Sequence, residues 1–172
     1  MNTPFSLLYY KKGLKNKCFV QFLIFKHALA ANQMATQLRE MKVDYYLDLL
    51  DSSVVQSGKE LTNHIRRNLN NCTDIIVIMS KLTRFSQWVP FEVGMAAQID
   101  MPTATFLQED VSLPDFLQYW PRLKKVSDIK KYVYARNYVD QEYEQYRSIF
   151  ESATYQKPKT ERFYEVLKQR LE

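Results

Sequence analysis

Asp74-Ile75-Ile76-Val77-Ile78-Met79, followed by Ser80-Lys81 and then by Ser86-Gln87-Trp88-Val89-Pro90-Phe91-Glu92-Val93-Gly94, is the stretch that decides the fold. An unbroken, largely β-branched run of this length predicts a parallel strand covered by helices on both faces. Thr73–Ser80 is therefore expected inside a sheet. The polar break hands over to a helix, and Pro90 at the first helical position would put Glu92 in the first turn, four residues after Trp88. Ligands of such sheets sit beyond the carboxyl ends of the strands, where a loop passes into a helix. Glu92 lies just past such an end.

The alternation continues outward on both sides. Upstream, Cys18–Phe25 reads as a first strand, apolar on both faces, and Ala28–Met41 as a helix with Met34, Leu38 and Met41 at helical spacing. Val43–Leu49 is a second strand. After the polar segment Asp51–Gln56, Ser57-Gly58-Lys59-Glu60 fits a capping box, and the helix it opens carries Leu61, Ile65 and Leu69 on one stripe. His64, Arg66 and Arg67 fall off that stripe and read as a solvated face; Asn70-Asn71 stop the helix. Downstream, Pro102–Leu107 is a fourth strand, Leu113–Tyr119 a short helix broken by Pro121, and Val126–Val133 a helix or connector. Two amphipathic helices close the chain, one marked by Val139, Tyr143, Tyr146 and Phe150, the other by Phe163, Val166 or Leu167, and Leu171. Strands and helices alternating at this spacing predict an α/β fold with a doubly wound parallel sheet of four or five strands. Residues 1–17 are expected as an N-terminal extension, 18–135 as the α/β domain, and 136–172 as a helical elaboration packed on the same domain.

Composition narrows the chemistry. The 172 residues hold 12 Tyr and 10 Phe but only 3 Gly, and neither a G-x-G-x-x-G nor a P-loop pattern occurs. A phosphate-bearing ligand would be held by helix N-termini and basic side chains instead. The net charge of +5 is spread along the chain, which favours a small anionic ligand over a nucleic-acid groove. Cys18 and Cys72 form no disulfide framework or metal pattern and read as buried thiols; His27 and His64 are too few for a zinc site or a triad. Lys11–Lys17 followed by an apolar run imitates a secretory signal, but the run is short and Lys26-His27 interrupts it. A sheet strand, no membrane span and a cytoplasmic location are expected.

The strand, the serine after it and Ser86-x-Trp88-x-x-x-Glu92 together resemble the core of Toll/interleukin-1 receptor (TIR) domains, in the form found in bacterial TIR proteins. The resemblance covers about residues 18–135. Phe22-Leu23-Ile24-Phe25-Lys26-His27 stands where the family carries F-[IL]-S-Y, with Ile24 and Phe25 replacing the usual serine and tyrosine. Asp48 stands at the aspartate leading into the so-called BB loop, about 51–58, and Gly58 at that loop's closing glycine. Leu113-Pro114-Asp115-Phe116-Leu117 and Tyr132-Val133 resemble the closing stretch of bacterial members.

In enzymatic members the corresponding glutamate cleaves NAD+. The resemblance therefore implies a TIR/flavodoxin-like fold and Glu92 as the catalytic residue, with Phe25, Lys26, His27, Asp48 and Trp88 contacting substrate. It implies NAD+ as substrate with no cofactor or metal, self-association through the BB loop, and a product signalling to a separate effector or answering a phage-derived trigger, as in Thoeris-type antiphage defence. Each residue has a plainer reading. Glu92 would complement a helix dipole, Trp88 would pack in the core, Lys26-His27 would be a solvated pair and Asp48 would cap its own loop. Two other functions fit the same elements: a catalytically inactive TIR scaffold, and a nucleoside deoxyribosyltransferase-like enzyme using a glutamate nucleophile.

Overall fold

The structure is a computed structural model that describes residues 19–24, 29–49, 58–81, 83–108, 111–149 and 158–172, without the side chains of 19–24, 48–49 and 147–149. Five strands form one parallel sheet: β1 (Phe19–Ile24), β2 (Asp44–Leu49), β3 (Asp74–Met79), β4 (Thr103–Leu107) and β5 (Arg122–Leu123), in the spatial order β2-β1-β3-β4-β5. β3 is central, and all six of its residues are buried. An unbroken apolar run has this fate because side chains alternate between two covered faces.

Each face has its own core. Ile76, Ile78, Ala104 and Phe106 point to one side, against α1 (Leu29–Glu40), α4 (Asp128–Ile149) and α5 (Lys159–Leu171). Ile75, Val77 and Met79 point to the other, against Ile65 and Leu69 of α2 (Gly58–Asn71) and Val89, Val93 and Ala96 of α3 (Trp88–Gln98). The expected stripes are recovered: Met34 and Leu38 on α1, Ile65 and Leu69 on α2, and Phe163, Val166, Leu167 and Leu171 on α5 are all buried.

α4 is longer than the sequence implied. It begins at Asp128, whose carboxylate accepts the backbone N–H groups of Lys124 and Lys125 at 2.9 Å, and it runs unbroken across residues 135 and 136. Its buried side is Ile129, Tyr132, Val133, Arg136 and Val139, one helical stripe. Phe163 of α5 meets Tyr132 edge-on at 5.0 Å and lies under the Arg136 guanidinium at 5.3 Å, so the C-terminal helix joins the same core.

Two helix ends depart from rule. With glycine scarce, Lys42 after α1 and Asp100 after α3 take the left-handed conformation, φ 59° and 52°. Behind them, Val43 N–H bonds Leu38 O and Met101 N–H bonds Ala96 O, both at 2.9 Å, satisfying the last-turn carbonyls. The expected helix at Leu113–Tyr119 is a single 3₁₀ turn, Asp115–Leu117. Pro121 does end that segment, but it also leads into β5: its carbonyl accepts the Thr105 N–H at 2.9 Å and extends the ladder.

Candidate active site at the carboxyl end of the central strand

The chain leaves β1 toward β2 on one side and leaves β3 toward β4 on the other. The crevice between the carboxyl ends of β1 and β3 is thus the switch point, where such sheets place their ligands. Ile24 ends β1 and Met79 ends β3. Phe25, Lys26 and His27 follow Ile24 in the chain and lie outside the described residues, as do Cys18, residues 1–17, Ser57 of the expected capping box, and the BB-loop segment 51–57. Asp48 pairs in register with Leu23 near the carboxyl end of β2; its side chain is not described.

Beyond β3 the backbone turns on two buried hydroxyls. Ser80 Oγ lies 3.0 Å from Thr83 Oγ1 and accepts the Thr83 N–H at 3.2 Å. Arg84 N–H bonds Ser80 O, and Ser86 N–H bonds Thr83 O, both at 3.1 Å, which closes a 3₁₀ turn at Thr83–Phe85. Ser86 Oγ then accepts the Trp88 N–H at 3.2 Å where α3 begins. Side-chain hydroxyls take backbone donors here in place of a glycine-rich loop.

This start corrects the expected register. α3 opens at Trp88, not at Pro90, so Pro90 is its third residue and Glu92 its fifth. Proline fits there because the first four N–H groups of a helix have no intrahelical acceptor. Glu92 consequently sits in the second turn, beyond the reach of a first-turn dipole role.

Its environment is the main finding. Val89, Glu92, Val93 and Ala96 form the buried stripe of α3, and Glu92 is 0% exposed. Glutamates are almost never fully buried unless something holds them, and a charge in such a place costs several kcal/mol before compensation. Trp88, one turn earlier, is half-buried against the same core cluster and meets Phe91 edge-on at 6.0 Å. The structure thus brings Glu92 and Trp88 together on one helix and leaves both packing and ligand roles open to Trp88.

Other candidates separate out. Arg66 and Arg67 are exposed, as a solvated face requires, while His64 Nε2 lies 3.0 Å from Asn68 Nδ2. Cys72 is buried. Among the described residues no group of three His, Cys, Asp or Glu is placed to hold a metal, and no helix is long and apolar enough to cross a membrane. An open concavity of about 550 Å³ between α1 and Lys125–Ser127 shares no residue with the expected site.

A second buried carboxylate escaped sequence reading. Asp74, at the opposite end of β3, accepts from Tyr132 Oη at 2.7 Å, from Arg136 Nε at 2.7 Å and Nη2 at 3.3 Å, and from Thr73 Oγ1 at 2.7 Å. The only signal available was an acid opening an otherwise apolar strand. Its partners on α4, Tyr132 and Arg136, lie 58 and 62 residues away and have no local mark.

Comparison with protein-family models and with curated proteins returned no match.

Proposed function

We propose that this protein is a TIR-like NAD+ glycohydrolase or ADP-ribosyl cyclase-like enzyme with Glu92 as its catalytic carboxylate. The observation that carries the reading is the complete burial of Glu92 on the apolar stripe of the helix that follows the central strand. The strand order supports it: β2-β1-β3-β4-β5 is that of flavodoxin-like sheets, whose ligand crevice opens between β1 and β3. A fully buried carboxyl group on the helix that follows the central strand supports a functional site, since folding alone does not favour burying one.

The chemistry asks little more. As the C1′–N bond breaks, its electron pair goes to the nicotinamide nitrogen, which loses its positive charge and leaves neutral. No general acid is needed, unlike ordinary glycoside hydrolysis with its two carboxylates. Positive charge grows on the ribose, and one preorganised carboxylate stabilises it. Water, or a nucleophile within the ADP-ribose moiety, then adds to C1′ with loss of a proton. The absence of a glycine-rich phosphate loop is no obstacle, because basic side chains can hold a diphosphate, and the TIR resemblance names Lys26 for that role.

The proposal extends to assembly and biology. Self-association through about residues 51–58 completes the site, and the ADP-ribose-derived product acts in the cytoplasm on a separate effector, in the manner of antiphage signalling. Nicotinamide release from NAD+ by wild type and Glu92→Gln, followed over a range of protein concentration, is the test. Release that rises faster than concentration and disappears in the variant supports the reading. Equal release by both proteins removes Glu92 from the mechanism, and a covalent sugar trapped on Glu92 transfers the site to deoxyribosyltransferase chemistry.

A further inference from the structure

The turn between β3 and α3 carries side chains that the site described so far does not use. Phe85 is 82% exposed on the 3₁₀ turn, although burying so large an apolar side chain would stabilise the fold. Arg84 immediately precedes it in the chain and Lys81 stands four residues before it; both are exposed. No acidic residue occurs between Ser80 and Phe91. Ser80 Oγ contacts both the Thr83 hydroxyl and the Thr83 N–H, and this segment follows the carboxyl end of the strand bordering the switch-point crevice. An exposed aromatic ring and two exposed cations within one five-residue segment match an anionic ligand that also carries a planar ring.

We propose that Lys81, Arg84 and Phe85 form a nucleotide clamp, in which Phe85 stacks on the purine of the dinucleotide and Arg84, with Lys81, pairs with its diphosphate. The clamp rests on the dinucleotide reading above, gives the purine its first contact and adds two cations for the diphosphate. Arg84 suits the diphosphate because a guanidinium engages two anionic oxygens at once, while Lys81 contributes a point charge. Phe85 suits the purine because stacking on an exposed ring needs no hydrogen-bond partner and tolerates a flat face of either polarity. The buried hydroxyl pair beneath serves as a positioning element, fixing where the ring and the guanidinium stand.

The test is direct binding of three probes: ADP-ribose, adenosine monophosphate and inorganic pyrophosphate. They are titrated into wild type, Phe85→Ala, Phe85→Trp, Arg84→Ala and, as a control on α4, Tyr134→Ala. Phe85→Ala is expected to weaken ADP-ribose and adenosine monophosphate by about tenfold and to leave pyrophosphate unchanged, with recovery in Phe85→Trp. Arg84→Ala is expected to weaken ADP-ribose and pyrophosphate by roughly five- to tenfold and to flatten the salt dependence of both. Phe85 is exposed, so its variants should remain folded. The clamp is overturned if Phe85→Ala binds ADP-ribose like wild type, if it weakens pyrophosphate equally, or if wild type binds none of the probes at millimolar concentration. It is also overturned if Phe85→Ala only dissociates a self-associated form in sedimentation, because the ring would then belong to an interface between copies. Probe binding that depends on Phe85 and Arg84, without nicotinamide release by any protein, supports the clamp while removing the glycohydrolase reading.

Discussion

Asp74 and Glu92 are both buried carboxylates of one strand–helix unit, yet the molecule treats them oppositely. Asp74, at the amino end of β3, is surrounded by donors from α4: a guanidinium, a phenol and, locally, a threonine hydroxyl. Glu92, beyond the carboxyl end, shares its helix face with Val89, Val93 and Ala96. The first arrangement is what a charge needs in order to hold two layers together. The second sets a fully buried carboxyl group on an apolar helix face past the other end of the strand. In parallel α/β sheets the carboxyl ends of the strands carry chemistry, which leaves the amino ends to carry stability. The two positions fit a structural role for Asp74 and the proposed catalytic role for Glu92, a division that the following variants can break.

Arg136→Met should have the largest effect. It leaves the Asp74 charge buried with its main cationic partner gone, and breaking such a pair costs about 3–5 kcal/mol. Denaturant melts are the measurement. Adding Asp74→Leu should return most of the loss, since an apolar pair of similar volume is often neutral. A single variant as stable as wild type would mean that Asp74 does not rely on Arg136.

Glu92→Gln should act on the other side of the divide. Nicotinamide release is expected to fall by about a hundredfold or more, the usual result of removing a preorganised transition-state charge. The melting temperature should be no lower than wild type, because an amide is cheaper to bury than a carboxylate. A variant that unfolds while its residual folded fraction stays active would reverse the roles of the two acids.

How much of this was legible follows from the same geometry. β3, the stripes of α1, α2 and α5, and the α/β class could be read because each is a local period, two or 3.6 residues, repeated within one segment. That Glu92 and Trp88 share one helix could be read because four residues along a helix is also a local spacing; their proposed roles came from the TIR resemblance. The start of α3 was misplaced by two residues because Pro90 is tolerated through most of the first turn, so its presence does not fix the first position. The ends of α1 and α3 gave no glycine signal because Lys42 and Asp100 adopt the left-handed conformation instead. β5 has only two residues and thus no period, and the Asp74–Tyr132–Arg136 network joins positions that only the folded chain brings together.

Tyr164 offers a pH test of stability at the amino end alone. Its hydroxyl accepts the Thr103 N–H at 3.0 Å, and burial pushes its pKa up from 10.0 to about 12. Below pH 10 both folded and unfolded chains keep the proton, and the full stability is present. As pH rises from 10 toward 12 the unfolded chain releases its proton first, so stability falls, by about 2 kcal/mol at pH 12 from this group. The check is the slope of unfolding free energy against pH in wild type and Tyr164→Phe; the same slope in both would show that Tyr164 is not the group responsible.

The smallest effect is the sharpest test of the division. Thr73 is exposed, and its hydroxyl donates to Asp74 Oδ2 at 2.7 Å. Thr73→Val keeps the side-chain shape and the β-branching that suits the approach to a strand, and removes only that donor. Water reaches Thr73 and replaces part of the lost bond, so the cost should be about 0.5–1 kcal/mol rather than the larger price of an orphaned buried group. Because the change touches the amino end of β3 and nothing beyond its carboxyl end, nicotinamide release per folded molecule should equal wild type. The measurement pairs a denaturant melt with a release assay on the same preparation. A small loss of stability with unchanged release keeps the two ends of the strand independent. Release that falls along with so slight a loss of stability would show that Asp74 and Glu92 are coupled through β3, and the assignment of one end to stability and the other to chemistry would have to be given up.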